Sequence, residues 1–189
     1  MTNVEIHPLT PDRWRDIETL FNTSAVTRGC WCMWFRLPTA DFRANEGERN
    51  REAMRRIVDE SDVPPGLLAY VDGEAAGWCA VAPREEYSRV LRSNTVKPID
   101  DQPAWSIVCF FVASKARGRG VSKRLLQAAV ELAANHGAKM VEAYPIDPAA
   151  GRVTPDEAYY GVASAFAAAG FKEVARRHPK RPIMRLTIG

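Results

Sequence analysis

The chain has 189 residues, 46% of them apolar and 26% charged, with a formal net charge of +3 at neutral pH. Such a length predicts a single domain over residues 1–189 that buries its core without disulfide or metal staples. The small, dispersed charge argues against bulk attraction to nucleic acid or a membrane surface. No apolar run approaches spanning length, and the first residues lack the basic and hydrophobic regions of a signal peptide, so a cytoplasmic chain is expected.

Residues 3–8 predict a first strand. Thr10-Pro11-Asp12 then opens a helix to about Phe21, with an N-cap and a proline at the first helical position. Trp31, Trp34 and Phe35 crowd into five positions of the loop that follows. Residues 45–60 predict a second helix with Ala53, Met54, Ile57 and Val58 on its core face, and Pro64-Pro65-Gly66 forces a turn. Residues 67–71 and 76–81, joined through Asp72-Gly73, predict a hairpin. Residues 83–103 read as irregular, proline-marked chain. A strand over 105–113 leads into a helix over 119–135 that His136-Gly137 closes, and 139–144 predict another strand. After a proline-rich loop, an alanine-rich helix spans about 155–169. Gly170-Phe171 ends it, and 171–177 with 182–188 make a closing antiparallel pair whose surface could serve a homodimer.

The junction after the 105–113 strand carries the strongest chemical signal. Its basic turn, Arg117-Gly118-Arg119-Gly120-Val121-Ser122, opens the next helix. Backbone N–H groups at a helix start lack intrahelical acceptors and sit at the positive end of the dipole, while glycines let a phosphate approach the backbone. Lys123 and Arg124 add positive charge. Neither a Walker loop nor a dinucleotide fingerprint fits: the Gly-Lys-Ser/Thr ending is missing, and Lys123 stands where the third glycine would be.

The stretch resembles the acyl-CoA loop of the GNAT N-acetyltransferase superfamily, whose pattern is Arg/Gln-x-x-Gly-x-Gly/Ala. Ser122 replaces the last small residue with another small one. The order of elements and the late helix-Gly-Phe-strand step resemble the superfamily as well. The resemblance implies an α/β fold: one GNAT-like domain with a mixed central sheet of about six to seven strands and about four helices, splayed at the acyl-CoA cleft. It implies acetyl-CoA as cosubstrate, no metal, and a small-molecule amine as acceptor. The cofactor would bind the backbone around Phe110, Phe111 and Val112 and the loop residues Arg117, Gly118, Arg119, Gly120, Val121 and Ser122. A backbone N–H near Val112 would polarise the thioester carbonyl.

In relatives the region between the first two helices covers the acceptor, so Trp31, Trp34 and Phe35 either line that pocket or plug the core. A pocket built of them favours an apolar or aromatic amine. Many relatives place a proton-handling tyrosine four residues before the Gly of the Gly-Phe step, and here that position is Phe166. Tyr144, at the end of the strand flanking the cleft, is then the leading candidate acid. Glu142, on the same face by period-two alternation, is the candidate base, and Tyr159 is a further candidate. Without such a group the chain would be a CoA-binding sensor rather than an enzyme. The four cysteines are too scattered for a disulfide framework. Cys30-Trp31-Cys32 is one residue short of the usual metal or redox spacing, and Cys79 and Cys109 read as small buried hydrophobes.

Overall fold

Seven segments pair into one open mixed sheet among residues 3–154 and 157–189, the residues that the computed structural model describes. They are β1 (Val4–Pro8), β2 (Gly66–Val71), β3 (Glu74–Pro83), β4 (Trp105–Val112), β5 (Met140–Ala143), β6 (Lys172–His178) and β7 (Arg181–Thr187), in the order β1-β2-β3-β4-β5-β7-β6. Every neighbouring pair is antiparallel except β4 with β5. The sheet agrees with the expected strand number, and β2 and β3 meet through the left-handed pair Asp72-Gly73, as the hairpin signal requires.

The helices depart from expectation in number. Among the described residues there are seven: α1 (Trp14–Phe21), α2 (Ala25–Cys30), α3 (Thr39–Ala44), α4 (Glu48–Glu60), α5 (Ser88–Arg92), α6 (Val121–Asn135) and α7 (Ala163–Ala168). The additional α2 and α3 lie in and after the expected aromatic loop, and α5 lies in the chain expected to be irregular. Each has five or six residues. Helices that short do not hold in isolation, so packing forms them and a periodicity too brief to read precedes them.

The anticipated alanine-rich helix is also corrected. Its start at Pro155 and Asp156 falls outside the described residues. Beyond that, a 3-10 turn at Glu157–Tyr160 and the short α7 are separated by Gly161, at φ +72°. A Cβ at Gly161 would stand 2.9 Å from Phe166 and 3.3 Å from Phe110, so only glycine lets the chain turn against those rings.

The core divides into two layers because alternate residues of each strand face opposite sides of the sheet. Leu67, Ala69 and Val71 of β2 face α6 through Val121, Leu125 and Ala129. Leu68 joins Trp78, Phe21, Trp14 and Met54 under α1 and α4. Between the layers, β4 and β5 come apart. Only Trp105, Ser106 and Ile107 pair with β5, opposite Val141, Glu142 and Ala143. The β3–β4 register shifts at the same level, where Ala80 opposes Cys109 and Val81 opposes Ile107, leaving Val108 as the extra residue. A bulge bends its strand, and here β4 leaves its parallel neighbour at that point.

Candidate active site

The turn from β4 into α6 has the geometry of an anion site. Gly118 and Gly120 sit at φ +74° and +77°, and a Cβ built on either meets no atom within 4 Å. No side chain caps α6, so its first N–H groups remain available. The basic residues around it are partly engaged: Arg119 pairs with Asp72 at 2.7 Å, Arg117 Nε donates to the Val112 carbonyl at 3.3 Å, and Lys115 pairs with Glu74. Val121 is buried under the helix and Ser122 is exposed. A cavity of about 530 Å³ continues from Lys123 along α6, walled opposite by Ala165 and Ala169. The unpaired stretch of β4 and the uncapped turn together fit a long ligand with a phosphate-bearing end. The rings of Phe110 and Phe111 point to opposite layers, so only backbone from these two faces the split.

On the other face of β4 lies a cavity of about 400 Å³ with aromatic walls. Trp34, Phe35, Phe42, Phe111, Tyr159 and Tyr160 line it, and Glu46 is its one carboxylate among the described residues. Tyr159 lies flat on Phe111, with ring centroids 6.1 Å apart and planes at 13°. Tyr160 is held by Phe35 at 5.9 Å and by the Arg181 guanidinium 3.7 Å over its ring. Arg89 of α5 fixes the opposite wall: it donates to the Trp34 carbonyl at 2.6 Å and the Leu37 carbonyl at 3.2 Å, and lies 3.7 Å over the Trp34 ring. No sequence pattern marks Arg89, Phe42 or Glu46, since their roles arise from contacts with segments distant in the chain.

Of the three loop aromatics, Trp34 and Phe35 reach the cavity and Trp31 does not. Trp31 and Cys32 both adopt left-handed backbone, at φ 46° and 57°, a cost of about 1–3 kcal/mol each that close packing must offset. The pair of kinks turns the Trp31 ring into the core, where it stacks on Trp14 at 5.6 Å and is 2% exposed.

Glu142 and Tyr144 share a face, as alternation predicts, but that face is sealed. The Tyr144 hydroxyl donates to Glu142 Oε2 at 3.0 Å and meets Ser106 Oγ at 2.8 Å. Glu142, fully buried, also takes Arg84 at 2.9 Å and Arg185 at 2.7 Å, and Arg185 holds Asp100 through both terminal nitrogens. Burial, and after it the Glu142 charge, pushes the Tyr144 hydroxyl well above its ordinary range. Neither residue lines either cavity, which corrects the expectation of Tyr144 as acid and Glu142 as base at the cleft. The network clamps residues 84–102 onto β5 and β7.

Phe166 is wholly buried against Phe110 and Phe171. Among the described residues no group of three or more His, Cys, Asp or Glu is arranged to hold a metal ion, and no helix is long and apolar enough to cross a membrane.

The model of the acetyltransferase (GNAT) family matches residues 31–153, about two thirds of the chain. The chain belongs to this family. Solved structures with the GNAT fold cover nearly all of it at low identity. The GNAT domain of S. lividans PAT is 15% identical, with 98% of this chain and 90% of that one covered, at a TM-score of 0.55. The PaiA N-acetyltransferase from Thermoplasma acidophilum, solved with coenzyme A, is 14% identical over 98% and 99% at 0.52. The aminoglycoside N-acetyltransferase AAC(6')-Iy, also solved with CoA, is 19% identical over 94% and 93% at 0.53. Identities this low speak to the GNAT fold and not to the acceptor. No curated protein matches the chain.

Proposed function

We propose that this GNAT chain transfers an acetyl group from acetyl-CoA to the primary amine of a small apolar or aromatic molecule, by direct attack with both substrates bound. One observation carries the reading: β4 past Ile107 borders the split from β5 at its edge and supplies Cys109 and Phe111 to the aromatic cavity on its face. A donor in the split and an acceptor in the cavity would thus meet across one strand.

Bound acetyl-CoA supplies the activated thioester. The turn at Gly118 and Gly120, with the α6 N-terminus, would hold its phosphates, and backbone of residues 110–112 would align the arm and the carbonyl. The aromatic walls select an apolar acceptor and keep water out, while Glu46 attracts the ammonium and takes up its proton. Tyr159 is the candidate of the original three with its ring in the cavity, and it donates a proton to the departing thiolate.

A second reading, a CoA-binding module without turnover, draws support from Phe166, which has no proton to give. Two measurements separate the readings. Acetyl-CoA at about a hundred times its dissociation constant should add roughly 2.7 kcal/mol to stability under either reading, where ATP and NAD do not. Release of free thiol on adding aromatic amines is expected only of the transferase, and silence across a broad amine panel would favour the module.

A further inference from the structure

Cys30 and Cys32 meet Cys109, remote from them in the chain, in the lining of the aromatic cavity. They are not equivalent. The Trp78 indole N–H donates to Cys32 Sγ at 3.0 Å, and Cys109 lines the same cavity. The Arg36 guanidinium adds positive charge, and its Nη2 is buried with no hydrogen-bond partner among the described residues. The Cys109 hydrogen bond, and after it the indole and Arg36, hold the Cys32 thiol below its ordinary range against the opposing effect of burial. The remaining cysteines go the other way. Burial and the charge of Cys32 push Cys30 up to about 12, burial raises Cys79, and donation to Cys32 together with burial raises Cys109. Trp31 and Cys32 are two consecutive left-handed residues without glycine, and the sulfur of the second meets the Trp78 indole N–H. Nucleophilic thiols are those whose surroundings favour the thiolate and leave it reachable; Cys32 is 8% exposed and meets the outside through the cavity it lines.

We propose that Cys32 is a modification site, a thiolate oxidised by small uncharged hydroperoxides that enter the aromatic cavity, with Cys109 as the second sulfur of the resulting disulfide. The thiolate attacks the distal peroxide oxygen and the O–O bond breaks. The hydroxide or alkoxide released takes a proton from solvent, leaving a sulfenic acid on Cys32. The Cys109 sulfur then attacks Cys32 Sγ, the S–O bond breaks, and the hydroxyl leaves as water with the Cys109 proton. The peroxide gains two electrons, one from each sulfur. Both residues line the same cavity, so their side chains border a common space. The site stands independently of acetyl transfer.

The test is mass spectrometry of the reduced full-length chain after stoichiometric hydrogen peroxide. The expected product has lost two hydrogens, and digestion yields one linked peptide pair joining residues 32 and 109. Cys109→Ser should instead gain one oxygen on Cys32, trapped by dimedone, without a disulfide. If that variant does not fold, the linkage map of the unmodified sequence decides alone. First oxidation at Cys30, Cys79 or Cys109 with Cys32 intact would overturn the proposal. So would survival of all four thiols at doses that oxidise glutathione.

Discussion

Ile107 faces Ala143 as the last pair of the parallel ladder between β4 and β5, while β4 runs on to Val112 without that neighbour. The shifted register at Ala80 and Val81 bends β4 at the same level, so the split is built into the sheet rather than opened by a ligand. It exposes backbone along one edge, next to a helix N-terminus that no side chain caps.

Gly120→Val tests that arrangement. The position is left-handed, which costs an L-residue about 1–2 kcal/mol, and its new side chain would occupy the open space over the α6 N-terminus. Calorimetric affinity for acetyl-CoA should fall by about tenfold or more, equivalent to at least roughly 1.4 kcal/mol. Unchanged affinity would remove the loop from the binding site.

The tyrosines should separate by what each variant changes. Tyr144→Phe leaves Ser106 and Glu142 each one partner short in a dry interior, a loss of about 1–3 kcal/mol in denaturant unfolding. The pH profile of its turnover should not move. Tyr159→Phe should spare stability and lower kcat more than it raises KM, since it removes a hydroxyl from the cavity. The opposite pattern would return the proton to Tyr144.

Trp31 and Phe35 stand close in sequence and differ in consequence. Trp31→Ala should cost about 3–5 kcal/mol of stability, as truncation of a fully packed indole does. Phe35→Ala should widen the cavity and relax the preference among aromatic amines while acetyl-CoA affinity holds. Competition assays with amines of graded size read the second effect, and thermal unfolding the first.

Acid should weaken the chain through two anchored carboxyls. The Arg185 hydrogen bonds hold Asp100 down at about 2, and the Lys180 ammonium holds Glu157 down at about 2, against ordinary values of 3.8 and 4.5. Folded values below unfolded ones mean stability that is complete above the ordinary values. It is lost as pH falls from about 4.5 towards 2. Denaturant midpoints followed through that window should drop, and Asp100→Asn should make the drop shallower.

Glu142→Gln addresses the buried network. It leaves Arg84 and Arg185 facing a neutral amide in a sealed interior, and breaking such a pair costs about 3–5 kcal/mol. A calorimetric scan should register the loss, whereas a turnover defect with stability intact would reinstate Glu142 as a base.

Local patterning by itself determined the strands, the long helices α1, α4 and α6, and the glycine turn that opens α6, because period, caps and turn residues act over a few neighbouring positions. It also brought Glu142 and Tyr144 to one face, since alternation along a strand is local. What lay beyond that face required the tertiary structure: two arginines from segments on either side of the sequence enclose Glu142. Likewise, the sequence offered Trp31, Trp34 and Phe35 as one cluster, and left-handed backbone at residues 31 and 32 divided it between core and cavity. The meeting of Cys32 with Cys109, the grip of Arg89 on the 34–37 wall and the break at Gly161 all depend on groups remote in sequence. Burial, ion pairing and access are properties of what surrounds a side chain, and those surroundings come into being only when distant segments pack.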